Sequence, residues 1–265
     1  MRLSTPWDVL LCDIDGTLMG KTPSGSWAAF PGAPDALREV RGHVRTVFVT
    51  NTTSQSQKAI HQLLNDLGFP CEPGEVYTPW AVAREVMWKE GRTSGYAFLP
   101  PRDRSEADWF VIDEQGGNAV LVGDESLDAT FRQVQNAFRL LMRGAKLYSL
   151  QRNRYYRGSD GLCLDLGPLT AALEYASGQQ AVVFGKPSPT LFASIAGAYG
   201  TSPERMAIVG DDAEFDVAAP MKQGLTGILV RTGKYLAGSE DRLERPPSFT
   251  LDSFASLPAL LKALD

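Results

Sequence analysis

Leu10-Leu11-Cys12-Asp13-Ile14-Asp15-Gly16-Thr17-Leu18 is an apolar run that passes directly into two carboxylates one residue apart and then a glycine. Val9 to Asp13 reads as a buried strand, and the acids fall at its carboxyl end, the edge at which open α/β sheets bind ligands. If the strand continued to Asp15, side chains 13 and 15 would share a face, because strand side chains alternate. Two such carboxylates repel, and a divalent cation is a simple way to hold them together. A plain Asp-x-Asp-Gly turn accounts for the same residues without any chemistry.

The pattern around this stretch repeats it. Helix candidates at Ala33 to Arg41 and Ser54 to Leu67 alternate with the strand Val44 to Val49, and Gly68 stops the second helix. Toward the other end, Ala181 to Phe184, Met206 to Val209 and Gly227 to Val230 read as strands, with helices at Pro189 to Tyr199 and Ala213 to Gln223. This alternation predicts an α/β fold, a Rossmann-like parallel sheet formed by the two ends of the chain. The stretch between carries strands of its own at Ala119 to Val122 and Lys146 to Leu150. Its helices are predicted at Pro79 to Lys89, Leu127 to Met142 and Pro168 to Ala176. It reads as an inserted α/β domain over 79–180, with 1–78 and 181–265 forming the core. Gly91 to Arg104 reads as a loop and Gly238 to Ser248 as a polar tail.

Composition narrows the function classes. The 265 residues are 43% hydrophobic and 22% charged, globular averages, and the net charge of −5 offers no attraction to a polyanion. No nucleic acid is expected as a partner. Cys12, Cys71 and Cys163 lie far apart, which suits neither a disulfide framework nor a zinc site. The first apolar run is too short for a leader or a membrane span, so a cytoplasmic protein with no membrane partner is expected. No G-x-G-x-x-G follows the first strand, which removes a dinucleotide-binding reading.

Three other strands also end in polar residues. Thr46 to Val49 runs into Thr50-Asn51-Thr52-Thr53-Ser54, hydroxyls and an amide suited to a phosphate or to capping a helix. Phe184-Gly185-Lys186-Pro187 places a lysine after a strand, either as a charge for a phosphoryl group or as a solvated side chain. Ile208-Val209-Gly210-Asp211-Asp212 ends in acids that suit a hard cation or a helix N-terminus, with Asp216 four residues on. Singly each is moderate; four strands delivering polar residues to one sheet edge are more than capping requires.

In this four-part pattern the sequence resembles the haloacid dehalogenase superfamily. The position of the insertion, between Thr50 and Lys186, resembles the C2-capped class IIA branch that includes NagD-like phosphatases. Further strings, among them Gly185-Lys186-Pro187-Ser188-Pro189 and Val230-Arg231-Thr232-Gly233-Lys234-Tyr235, are similar to phospholysine phosphohistidine inorganic pyrophosphate phosphatases and their HAD-domain relatives. The cap segment Ser149-Leu150-Gln151-Arg152-Asn153-Arg154 departs from the Thr-Asn-Pro-Asp-like string of NagD-type caps, so a sugar-phosphate or nucleotide substrate is not carried over.

The resemblance implies a magnesium-dependent phosphatase acting on a small phosphorylated compound, a phosphate ester, pyrophosphate or phosphoamino acid. Asp13 is then the nucleophile that becomes an aspartyl-phosphate, and Asp15 the general acid and base. Asp13, the backbone carbonyl of Asp15 and Asp211 hold Mg2+, with Asp212 beside them, while Thr50 and Asn51 bind phosphoryl oxygens. Lys186 offsets charge on Asp13 and the phosphoryl group, and Asp216 braces its loop. Arg152, Asn153 and Arg154 are the cap residues expected to meet an anionic leaving group, and Tyr155 and Tyr156 an apolar one. Those tyrosines also suit a homodimer through the cap. A phosphotransferase or mutase uses the same groups, and a receiver-like phosphoacceptor without turnover is the non-enzymatic alternative.

Overall fold

The computed structural model describes residues 5–99, 105–113, 115–123, 129–158 and 161–264. The chain divides into two compact units. The first is formed by the chain up to Thr50, Lys58–Tyr77 and the chain from Phe192 on; the second by Asn51–Gln57 and Thr78–Leu191.

The first unit is built on a six-stranded sheet in the order Phe249–Leu251, Thr226–Val230, Met206–Gly210, Val9–Asp13, Arg45–Val49, Val76–Tyr77. Every neighbouring pair is parallel. All five residues of Val9–Asp13 are buried, as expected for a central parallel strand covered on both faces. From that strand the chain builds outward on one side through Arg45–Val49, then on the other through Met206–Gly210. The strand order therefore reverses between Val9–Asp13 and Met206–Gly210, the switch point at which a crevice opens at the strand ends. One core cluster joins Leu10, Cys12, Phe48, Val209 and Val230 to Leu37 and Val40 of the helix Ala33–Val40 and to Leu257 and Leu261 of the helix Leu257–Leu264. The polar segment Gly238 to Ser248 is followed by the edge strand Phe249–Leu251 and that last helix.

The second unit holds a five-stranded parallel sheet in the order Val182–Val183, Lys146–Ser149, Ala119–Val122, Ser94–Phe98, Val111–Ile112. The expectation that Ala181 to Phe184 continues the sheet of the two chain ends is corrected here. Val182 and Val183 pair with Tyr148 and Ser149, because an apolar dipeptide carries no information about which sheet edge it meets. Ser94–Phe98, read as loop, is a strand between two others. Gly95 is what permits it, since a Cβ there would lie 1.9 Å from the Ala119 carbonyl oxygen. An antiparallel hairpin, Tyr155–Gly158 with Gly161–Leu164, also went unpredicted.

Helix boundaries follow local chemistry. The helix Phe131–Met142 starts at a reciprocal Thr130–Gln133 capping box, whereas Leu127 and Asp128 of the predicted helix lie outside the described residues. Asp165 caps Leu166–Ser177, which ends on Gly178 at φ 72°. Among the described residues no helix is long and apolar enough to cross a membrane.

Candidate active site

Asp13 ends the central strand and is buried, 6% exposed. The chain then turns at once: the N–H groups of Leu18 and Met19 both donate to the Ile14 carbonyl, and Gly16 N–H donates to the Met19 carbonyl. The strand therefore does not reach Asp15, whose side chain is exposed. The face-sharing argument for residues 13 and 15 fails for that reason. What the turn does instead is bring Thr17 back, so that its Oγ1 donates to Asp13 Oδ2 at 2.8 Å.

Across the switch point, Met206–Gly210 delivers Asp211, and a π-helical turn at Ala213–Ala218 delivers Asp216; both carboxylates are almost wholly buried. Gly210 is required here, because a Cβ at that position would lie 2.3 Å from the Cβ of Asp216. One carboxylate oxygen from each of Asp13, Asp211 and Asp216 lies within 4.8 Å of the others. The third acid of this cluster is thus Asp216, where the sequence pointed to Asp212. Asp212 Oδ1 instead accepts the N–H groups of Glu214 and Phe215, each at 3.0 Å, as a helix N-cap.

Three buried carboxylates cannot all ionise cheaply together. Burial first, and then the charges of Asp13 and Asp216, push the Asp211 carboxyl up to about 7, against the pull of the Lys234 N–H. Lys234 N–H donates to Asp211 Oδ2 at 2.6 Å, while Asp211 Oδ1 is buried with no hydrogen-bond partner among the described residues. Three clustered carboxylates, one with an orphaned, buried oxygen, are a hard, oxygen-only donor set that fits a cation such as magnesium.

Thr50 follows Arg45–Val49, is buried, and donates its N–H to the Tyr77 carbonyl at 3.2 Å. The hydroxyl-rich run after it is not a helix N-terminus, since the helix begins at Gln57. In the second unit, Asn51 and the buried Lys186 are joined side chain to backbone: Asn51 Nδ2 donates to the Lys186 carbonyl at 2.9 Å, and Lys186 N–H donates to Asn51 Oδ1 at 2.6 Å. A Cβ at Gly185 would sit 2.7 Å from that Oδ1.

The cap candidates make contacts within the second unit. Arg152 forms a bidentate pair with Glu174, at 2.9 and 2.6 Å, and Glu174 Oε1 also accepts the Ala181 N–H. Asn153 N–H donates to Gln151 Oε1 at 2.5 Å, and Arg154 lies 5.9 Å from the centre of the exposed Tyr155 ring. Gln151, buried and also bonded to Asp165, was not singled out as a site residue by sequence. Cys12 and Cys71 are buried, and burial pushes both thiols up, Cys71 to about 12, which keeps these two groups protonated and inert.

Comparisons with known proteins identify the family. The haloacid dehalogenase-like hydrolase family matches residues 10–135, and a HAD-hydrolase-like family matches 183–257. Haloacid dehalogenase-like hydrolase domain-containing protein 2 of Homo sapiens is 37% identical over 246 residues, 92% of each chain. The chain belongs to the haloacid dehalogenase-like hydrolases. Within that family it is 33% identical over 254 residues to phospholysine phosphohistidine inorganic pyrophosphate phosphatase of Homo sapiens, covering 95% of this chain and 93% of the relative. Among solved structures, the 4-nitrophenylphosphatase of Thermotoga maritima superposes with a TM-score of 0.82 at 26% identity, over 96% of this chain and 97% of that one. NagD of E. coli K-12 superposes with a TM-score of 0.78 at 25% identity, over 94% and 97%. This haloacid dehalogenase-like hydrolase is therefore of the class IIA, NagD-like kind, a Rossmann-like core with an inserted α/β cap.

Proposed function

We propose that the protein is a magnesium-dependent phosphatase that hydrolyses a small phosphorylated compound through an aspartyl-phosphate. The observation that carries this reading is the buried triad Asp13, Asp211 and Asp216 at the switch point, with one Asp211 oxygen left without a partner among the described residues. Support comes also from related proteins named for such chemistry, a phospholysine phosphohistidine inorganic pyrophosphate phosphatase and a 4-nitrophenylphosphatase.

Asp13 is the nucleophile. Its Oδ2 is held by Thr17, so the carboxylate is oriented before substrate arrives. Attack on phosphorus makes an acyl-phosphate and breaks the bond to the leaving oxygen, dividing one hard displacement into two easier ones. Asp15, exposed beside the nucleophile in sequence, is the general acid for that oxygen and then the base for water. Asp13, Asp211 and Asp216 are the carboxylates that would hold the cation, with the Asp15 carbonyl and Asp212 as the further donors the family resemblance implies. Bound magnesium supplies charge neutralisation between an anionic nucleophile and an anionic phosphate. Thr50 and the backbone about Asn51 receive phosphoryl oxygens, and Lys186 offsets the charge that develops on them. The partner is a small phosphorylated substrate, a phosphate ester, pyrophosphate or phosphoamino acid, in a cytoplasmic setting. The exposed Tyr155 and Tyr156 remain the surface for a cap-mediated homodimer.

The experiment is phosphate release from p-nitrophenyl phosphate with and without Mg2+, in the wild type and in Asp13→Asn. Turnover that needs Mg2+ and falls to background in the variant is expected. An Asp13→Asn protein as active as the wild type would end this reading.

A further inference from the structure

The turn that follows the strand Thr226–Val230 holds Asp211 in a way the reaction above does not use. Asp211 Oδ2 lies between two glycine backbones. A Cβ on Gly16 would fall 1.9 Å from it and a Cβ on Gly233 2.0 Å from it, so any other residue at either position would strike the carboxylate. Both glycines have positive φ, 91° and 56°, which L side chains rarely adopt. The same oxygen accepts the Lys234 N–H at 2.6 Å. The two walls are bolted together, because Thr232 Oγ1 donates to the Gly16 carbonyl at 2.6 Å. Asp211 Oδ1, by contrast, is buried without a hydrogen-bond partner among the described residues.

One carboxylate therefore has two unlike oxygens. Oδ2 is walled in and engaged; Oδ1 is buried and has no hydrogen-bond partner among the described residues. Magnesium demands near-octahedral geometry and takes one oxygen from each carboxylate, whereas calcium accepts six to eight oxygens and often takes both oxygens of one carboxylate. Resting on the reading that the acid cluster binds a divalent cation, we propose that Thr232-Gly233-Lys234 is a positioning clamp that commits Asp211 to one-oxygen ligation and so favours magnesium over calcium. It acts through Asp211 and touches neither substrate nor ion, as residues that orient a metal ligand do.

The test is calorimetric titration of the full chain with Mg2+ and separately with Ca2+, without substrate. Thr232→Val removes the bolt, and Thr232→Ala removes it in a second way should the first fold poorly. Either variant is expected to weaken Mg2+ binding by about tenfold and Ca2+ binding by less, narrowing the preference. Thr232→Ser, which keeps the hydroxyl, should restore it. A preference for Mg2+ unchanged in both Thr232→Val and Thr232→Ala, even if the two affinities fall together, overturns the clamp and leaves the phosphatase reading standing. A wild type that binds neither ion overturns both.

Discussion

Asn51 grips the backbone of Lys186 with both ends of its carboxamide, donating to the carbonyl at 2.9 Å and accepting from the N–H at 2.6 Å. These residues are far apart in sequence, and each alone reads as a polar loop residue. Joined, they make the carboxamide a fixture of the lysine loop, with one Nδ2 hydrogen committed to the Lys186 carbonyl.

Asn51→Ala should therefore lower kcat through a displaced Lys186. A displacement near 1 Å can cost on the order of a hundredfold. The loss should not multiply with that of Lys186→Ala: the double variant should be about as slow as the lysine variant alone. Fully multiplicative losses in steady-state kinetics would assign Asn51 a separate job.

Arg152 faces the opposite outcome from a substrate contact. Its guanidinium is paired at both nitrogens with Glu174, whose side chain is only 6% exposed and also holds the Ala181 N–H. Arg152→Ala leaves a buried carboxylate without its partner. It is expected to destabilise the fold by roughly 1–3 kcal/mol, as for a buried charged acceptor stripped of its donor. KM for p-nitrophenyl phosphate should stay within twofold. A large rise in KM with an unchanged melting temperature would return Arg152 to the substrate.

How far the sequence could be read follows from the same residues. The acids at 13 and 211 were legible because each ends an apolar run, and strand ends in a parallel sheet are where ligands sit. Asp216 reads as a brace of its loop, and its Oδ2 does accept the Asp212 N–H at 3.3 Å; its place in the acid cluster was not legible, because a π turn has no pattern of its own and adds a residue to the helical spacing. Ser94-Gly95-Tyr96-Ala97 lacks the β-branched residues that mark strands, yet Gly95 is what lets that strand approach its neighbour. The pairing of Arg152 with Glu174 was not legible, because long-range pairing has no signature in a single chain.

The raised Asp211 carboxyl makes stability depend on pH in the metal-free protein. In the unfolded chain this group ionises near its ordinary value of 3.8; in the folded chain it holds its proton up to about 7. Between those values the unfolded state releases a proton that the folded state keeps, so the contribution is full below about pH 4 and is lost as pH rises toward 7. With EDTA present, Asp211→Asn should flatten this part of the pH profile and raise the melting temperature more at pH 8 than at pH 5. Thermal melts across that range decide it, and a variant gain that is equal at both ends would contradict the assignment.

Gly210 offers the last expectation, and it separates folding from ion binding. Its backbone angles do not need glycine; it is absent from the positions with positive φ. What needs glycine is space, because a Cβ would meet the Cβ of Asp216 at 2.3 Å and its carboxylate carbon at 2.6 Å. Gly210→Ala must push the π turn away, at a cost of roughly 1–3 kcal/mol for an overpacked buried site. Since Asp216 is one corner of the acid cluster, Mg2+ affinity should fall with it. Pairing the change with Asp216→Gly removes the clash and the acid together. The double variant should regain melting temperature and remain weak for Mg2+. Recovery of both together would show that Asp216 is no part of the cation site.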